Sequence, residues 1–321
     1  MAFAPRSIHS NTMLDLSDVC LAIAAFRNDD EVIALIDAVT NDDGRSPFGR
    51  IIVVDSIGTD RIPRWLADQQ RGDVEYHNFH ENLGSAGNLH ERLRLAAQTE
   101  ATYCYGINHD GEVDLQAVET MRRHANAQPS VGAVYPLRFR PNRGGAWDRS
   151  GKHGFALPFT GSRERPDASQ SLEEITWASS NGALYALAPV RAGINVWKEL
   201  WMGWEDLEYG MRLKQNGYKQ LRCIDAVFVD HYEYREFTFL GRSIFITDKP
   251  AWYAYYSARN LIAATRRNHP DPLSLSILTL RLAQEALVTA TLRRDKRQRS
   301  ELLLRGIVDG IRGKMGKRAF P

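Results

Sequence analysis

Over its first 135 residues the chain alternates short, nearly continuous apolar runs with amphipathic stretches, and this alternation limits the fold more than any other feature. The run VCLAIAAF (19–26) has the texture of a strand buried on both faces. DDEVIALIDAVTND follows it, with Val32, Leu35, Ile36 and Val39 at helical spacing and acids in the first turn. GRIIVVDS (49–56) reads as a second buried strand and VEYHNF (74–79) as a third, with helical or turn material in TDRIPRWLADQQ between them. SAGNLHERLRLAAQ (85–98) is helical, and TYCYGIN (102–108) is a fourth strand running into HDGEVD. Strand and helix recur at the interval of βαβ units, so an α/β fold with a mainly parallel, doubly wound sheet is expected here. Such sheets bind ligands at the carboxyl ends of their strands, where Asp55 and Asp110 fall. An Asp at that place equally serves as a cap for the next element.

The remainder is less regular. Residues 138–175 are rich in Gly, Pro, Arg and Ser and show no periodicity, as expected of a long loop that covers or binds substrate or else of a disordered segment. ITWASSNGALYAL (175–187) returns to strand-like texture. WEDLEYGMRLKQNGY reads as a helix that buries Leu207, Met211 and Leu213 and ends at Gly217. CIDAVFVDH (223–231) is a further strand, ending on His231. Beyond it the chain turns helical and basic: WYAYYSARNLIAATRRNH carries an aromatic stripe read as packing, and the next helix opens with Asp-Pro. Two parts are therefore expected, a catalytic unit over 1–240 and a helical extension over 241–321.

At 321 residues, 43% hydrophobic and 25% charged, the chain holds enough apolar material for a full core. A net charge of +2 argues against a nucleic-acid partner. Cys20, Cys104 and Cys223 are few, separated and flanked by apolar residues, as core thiols in a reducing compartment would be. Neither a signal sequence nor an uninterrupted run of eighteen apolar residues is present, so a cytoplasmic location is the simplest expectation.

Glu205 and Asp206 are adjacent carboxylates behind Trp201 and Trp204 at a helix start. Acids there offset a helix dipole, and the same pair suits acid–base work. The motif order decides between them. IIVVDSIGTD, ENLGSAGNLHERL, INHDGEVD, WEDLEYGMRLKQNGYK, the strand-ending His231 and YYSARN together resemble family 2 inverting glycosyltransferases of the GT-A fold, rhamnosyl- and galactofuranosyltransferases in particular.

The resemblance spans about 19–135 and 175–265. It implies the nucleotide-diphospho-sugar transferase fold with a C-terminal helical region, and transfer of a sugar from a dTDP-rhamnose or UDP-sugar type donor to a hydroxyl of a glycan, a glycolipid or another acceptor. It implies Asp206 as general base with Glu205 beside it, and donor contacts at Ala25, Phe26, Asp55, Asn82, Gly84, Gly87, Asn88 and Asn108. Acceptor contacts fall on Trp201, Trp204 and Asn181, and Mg²⁺ or Mn²⁺ on Asp110 and His231. The metal turn reads Asn108-His109-Asp110-Gly111-Glu112 where the family usually has Asp-x-Asp, so Asn108 or Glu112 completes the site with Asp110.

Two other classes compete. A nucleotidyltransferase would want a Gly-rich basic loop near the N-terminus, which AAFRNDDEV lacks; a non-catalytic sugar-nucleotide-binding module would not need a base. Residues 291–318 hold ten Lys or Arg against three acids. They read either as a solvated or homo-oligomeric face or as a segment lying on an anionic membrane beside a lipid-linked acceptor.

Overall fold

The computed structural model describes residues 14–41, 44–148, 151, 161–162, 164–167, 169–239, 242–268 and 271–318. The opening half follows the βαβ expectation. Strands β1 (Leu16–Ala25), β2 (Phe48–Asp55), β3 (Val74–Asn78) and β4 (Tyr103–Asn108) run parallel in the order β3-β2-β1-β4, with helices α1 (Asp29–Ala38), α2 (Arg61–Asp68) and α3 (Gly84–Ala96) as crossovers. The apolar runs are continuous because each strand feeds two cores. Leu21, Ile23, Ile51 and Val53 pack with α1 and α2 on one face; Cys20, Ala22, Ile52 and Val54 pack with α3 on the other. All three cysteines are buried thiols.

Helix α4 (Leu115–Asn126) starts where the Asp114 carboxylate accepts from the Gln116 and Ala117 amides at 2.9 and 3.1 Å. The second half departs from a purely parallel reading. Residues 138–148 are not a loop: β5 (Val131–Arg140) continues through Arg140, and β6 (Ala146–Asp148), β7 (Gly161–Ser162) and β8 (Leu172–Ile175) follow. The Gly and Pro that mask this pattern sit in the short turn at 141–145. Residues 149–150, 152–160, 163 and 168 of the same segment lie outside the described residues. Within ITWASSNGALYAL, Ile175 ends β8 and β9 (Ala183–Ala186) runs antiparallel between β4 and β5; the residues between them are not strand.

Helix α5 (Ala188–Arg191) leads to α6 (Glu205–Gln215), in which Leu207, Met211 and Leu213 are buried as expected. Strand β10 (Lys219–Val229) starts four residues earlier than read and stops short of His231; it pairs parallel with β5 and antiparallel with β8. The sheet is thus mixed, mostly parallel, in the order β3-β2-β1-β4-β9-β5-β10-β8.

Strands β11 (Tyr234–Phe239) and β12 (Arg242–Thr247) form an antiparallel pair in a region whose basic texture suggests helix. The boundary expected at 240/241 lies outside the described residues, and the strands on either side of it pair with each other. Helices α7 (Trp252–Asn268), α8 (Pro272–Leu292) and α9 (Lys296–Arg312) complete the chain. Leu261 and Ile262 of α7 share a core with Leu207 and Met211 of α6, so the C-terminal helices pack directly behind the carboxylate pair. By length and composition α8 could cross a membrane; it is mostly exposed, and Arg281 and Glu285 interrupt its apolar pattern.

Candidate active site

A short turn ahead of α6 sets the geometry of the site. Trp201 and Trp204 take φ of 60° and 67°, positive values that the Cβ of an L-residue makes costly. The surroundings hold it in place. The buried Asn260 amide of α7 donates to the carbonyls of Leu200, Met202 and Gly203 at 2.9 Å each, and the Arg259 guanidinium donates to Leu200 at 2.7 Å. From the other side, the Ala86 amide donates to the Trp201 carbonyl at 3.1 Å and Trp201 Nε1 to the Asn82 carbonyl at 3.0 Å. Gly84 makes this contact possible: its φ is +67°, and a Cβ there would stand 2.0 Å from the Trp201 carbonyl oxygen. Asn82, Gly84, Arg259 and Asn260 thus fix the loop that delivers Glu205 and Asp206.

These two carboxylates open onto a cavity of about 730 Å³ at the carboxyl ends of β1 and β4. Glu205 is buried, its Oε2 without a partner, and burial raises its pKa, offset by Ser85 and the Gly203 amide. Asp206 is half-buried, with Oδ1 shielded and unpartnered. Burial, and then the charge of Glu205, push its pKa up to about 7, while Ser180 and the Arg138 guanidinium pull the other way. The pair titrates as a unit. A carboxylate so placed is a proton acceptor matched to neutral pH.

The cavity brings together Asn88, Asn108, Asp110, Asn181, Trp204, Glu205, Asp206 and His231. Asn88 donates to the Val54 carbonyl at 2.9 Å and leaves its buried Oδ1 unpartnered. Asn181 Oδ1 accepts from the Asn108 amide at 2.9 Å, tying β4 to the approach to β9. Gly87 sits inside α3, where a Cβ would come 3.2 Å from the Leu83 Cβ.

Other expected residues stand apart. Asp55 is fully buried one strand away, paired in register with Ala25; it accepts from the Tyr76 hydroxyl at 3.0 Å and the Ile57 amide at 3.1 Å. Phe26 is exposed, with the Arg27 guanidinium 5.2 Å from its ring centroid. Trp201 does not line the cavity. It packs against Tyr256 and Trp252 at centroid distances of 4.6 and 5.8 Å.

Three cationic residues beyond the expected contacts also reach the cavity. Arg92 and Arg138 are buried yet line the cavity, and Lys249 joins them. Arg92 donates to the Ala22 and Ile107 carbonyls at 3.3 and 3.1 Å and keeps an unpartnered Nε. Arg138 donates to the Asn181 carbonyl at 2.6 Å and lies 3.3 Å from Asp230. An arginine on the apolar face of the SAGNLHERL helix is the one signal that could have found Arg92. Tyr253, read as packing, also lines the cavity, with the Lys249 ammonium 4.8 Å from its ring centroid.

Asp110 and His231 are exposed at the rim of the same cavity. Among the described residues, no group of three or more His, Cys, Asp or Glu side chains is placed to hold a metal ion. One carboxylate and one imidazole fit a hard divalent cation whose other ligands come from a diphosphate and water. Glu112 does not line the cavity.

A sequence search of curated proteins finds no match. Among solved structures, TarS from S. aureus in complex with UDP-GlcNAc superposes with a TM-score of 0.56 at 11% identity, covering 92% of this chain and 80% of that one. Mannosyltransferase PcManGT from Pyrobaculum calidifontis, in complex with GDP-Man and Mn²⁺, gives 0.51 at 15% identity over 92% and 88%. GalNAc-T7 with UDP, GalNAc and Mn²⁺ gives 0.57 at 10% identity over 94% and 57%. At such identities the likeness establishes the GT-A fold alone. The sequence pattern of glycosyl transferase family 2, however, matches residues 20–180, half of the chain. Together with a carboxylate pair at the end of its sheet, that match makes this chain a member of glycosyl transferase family 2, a glycosyltransferase that draws on a nucleotide sugar.

Proposed function

We propose that the protein is an inverting transferase that moves a hexosyl group from a dTDP-rhamnose or UDP-sugar type donor to an acceptor hydroxyl, with Asp206 as general base. The observation carrying this reading is that Asp206, with its proton affinity raised to about 7, opens onto the same cavity as two buried arginines. The acceptor oxygen bonds to the anomeric carbon from one face. The bond from that carbon to the diphosphate oxygen breaks on the other, and its electron pair leaves with the nucleoside diphosphate. The acceptor proton moves to the Asp206 carboxylate. Arg92 and Arg138 offset charge growing on the diphosphate, where fixed cations in a partly dry cavity act most strongly. Glu205 and Asn181 orient the acceptor against Trp204. Asn88 and Asn108 contact the donor from the strand ends, with Ala25, Phe26 and Asp55 on the nucleoside side.

Asp110 and His231 would hold a divalent cation, Mg²⁺ or Mn²⁺, which supplies Lewis-acid neutralisation of the diphosphate when bound. The Mn²⁺ in the PcManGT and GalNAc-T7 structures supports this. Residues 1–240 would then form the catalytic unit and 241–321 the extension behind it. Exposed Leu304, Val308 and Ile311 on α9, among Arg305 and Arg312, support peripheral contact with an anionic membrane on the cytoplasmic side, where a lipid-linked acceptor would be met. The test is release of nucleoside diphosphate from a panel of sugar nucleotides with and without added acceptor. No release from any donor would overturn the reading.

A further inference from the structure

Behind Trp204 lies a second cavity of about 310 Å³, walled by α7, α8 and β12. Trp204 is the one described residue that lines both this cavity and the catalytic one. Its indole is pinned: Nε1 donates to the Ser257 hydroxyl at 3.2 Å, and the Arg281 guanidinium sits 5.4 Å from the ring centroid. Because Glu205 and Asp206 follow Trp204 directly, a molecule reaching from one cavity to the other would pass within two residues of the proposed base.

The lining of the second cavity is cationic. It contains four arginines, Arg140, Arg143, Arg281 and Arg293, and one carboxylate, Glu285. Arg140 is already neutralised by Asp148 at 3.0 Å and Asp230 at 3.2 Å. Arg293 donates to the Thr247 carbonyl at 2.7 Å, reaches exposed Asp248 only at 3.9 Å, and keeps a buried Nε without a partner. Arg143 stands 5.9 Å from the Tyr234 ring centroid and Arg281 donates to Gln284 at 3.2 Å; among the described residues, neither has a carboxylate within ion-pair distance. Burial works against the charge of Arg281, with Glu285 as the only opposing influence. The Arg281 guanidinium, held largely out of water with no carboxylate at ion-pair distance, is costly unless a ligand supplies the counter-charge, and the part-buried Arg143 adds a second unpaired cation to the same cavity.

We propose that this cavity is an acceptor subsite for a sugar unit carrying an anionic group, a carboxylate or a phosphate, bound next to the unit whose hydroxyl is glycosylated. Arg281 and Arg143 take the anion, Gln284 and Glu285 take ring hydroxyls, and Trp204 separates this unit from the reacting one. The inference rests on the glycosyltransferase reading for its purpose, while its test uses binding alone.

Three probes would be titrated into the full-length protein at low salt with saturating nucleoside diphosphate: methyl glucuronoside, glucose 6-phosphate and neutral methyl glucoside. Binding would be read by saturation-transfer NMR. At least one charged probe is expected to bind about tenfold or more tighter than the neutral one, the increment of a charge-assisted hydrogen bond. The better of the two identifies the group as carboxylate or phosphate. Arg281→Gln and Arg143→Gln should each weaken that probe about tenfold, and Glu285→Gln should strengthen it, a direction that loss of packing would not produce. Should Arg281→Gln fail to fold, the other two variants carry the test. Equal binding of charged and neutral probes, no binding of either charged probe, or variants that leave the preference intact would overturn the proposal. If the charged probe binds as expected while no donor releases nucleoside diphosphate, the subsite stands and the transferase reading falls.

Discussion

Replacing Asp206 by Asn should move catalysis and stability in opposite directions. Asn keeps the size and loses the proton-accepting oxygen charge. Loss of a general base costs roughly 10²–10⁴-fold in turnover. The pH profile sharpens this: with the carboxyl raised to about 7, wild-type kcat/KM should climb through neutrality on its acid limb, and the variant should be low and flat. Stability follows from the same shift. The folded protein holds the Asp206 proton more tightly than the unfolded chain, whose carboxyl lies near 3.8. That stability is present below about 3.8 and is lost as pH rises toward 7. A full shift would be worth about 4 kcal/mol at about 1.4 kcal/mol per pKa unit; solvent access to a half-buried group reduces this to about 1–2 kcal/mol. The neutral amide of the variant carries no such penalty. The variant should therefore melt a few degrees higher than wild type at pH 8, with the gap narrowing toward pH 4. Donor-dependent nucleotide release and thermal melts at several pH values measure both. A variant keeping more than a tenth of wild-type turnover, or one inactive and less stable at pH 8, would refute the reasoning.

Asp110→Ala should weaken donor binding in the presence of Mn²⁺ or Mg²⁺ and abolish the response to added metal; wild-type activity that survives EDTA would remove the metal from the reaction. Gly84→Ala should cost more than about 1 kcal/mol and most of the activity, since φ is +67° and the new methyl would meet the Trp201 carbonyl; chemical denaturation reads the first and nucleotide release the second. Asn260→Ala leaves the Met202 and Gly203 carbonyls without their side-chain donor, while Leu200 keeps Arg259, so kcat should fall at least about tenfold while nucleotide binding changes little, as single-turnover and equilibrium measurements would separate. Deleting 291–321 should abolish cosedimentation with anionic liposomes at low salt; wild type that fails to sediment at low salt would leave α9 as an oligomer contact instead.

The parallel half of the sheet was legible because β1 and β2 are buried on both faces, which writes them as unbroken apolar runs. Strand β9 was legible as strand-like texture, but β6 and β8 were not, because each is four residues or fewer and takes its direction from long-range pairing with β5 or β10. The β11–β12 pair was missed for a similar reason: its charged residues read as helical surface. At the site, motif order identified residues that do converge, among them Asp206, Asn88 and His231. It could not separate Trp204, which borders the cavity, from Trp201, which packs on α7, because both stand in one short aromatic run. Nor could it find Arg138, whose burial is visible only once β5 and β10 are side by side; Arg92 was signalled only by its place on the apolar face of α3.

The grip of Arg259 and Asn260 on residues 200–203 also bears on how this enzyme could diverge or be recombined. A C-terminal segment that merely decorated a catalytic core could be exchanged between relatives to trade acceptor preferences. Here α7 is the scaffold on which the carboxylate pair is cast, so a chimera joined at the 240/241 boundary would import a foreign mould for its own base. Helix α9 belongs with α7, since Gly306 and Gly310 lie against the α7 backbone and the Gly316 carbonyl accepts from Arg259 at 2.6 Å. Productive exchanges should therefore keep α7 and α9 together and leave α8 as the exchangeable part.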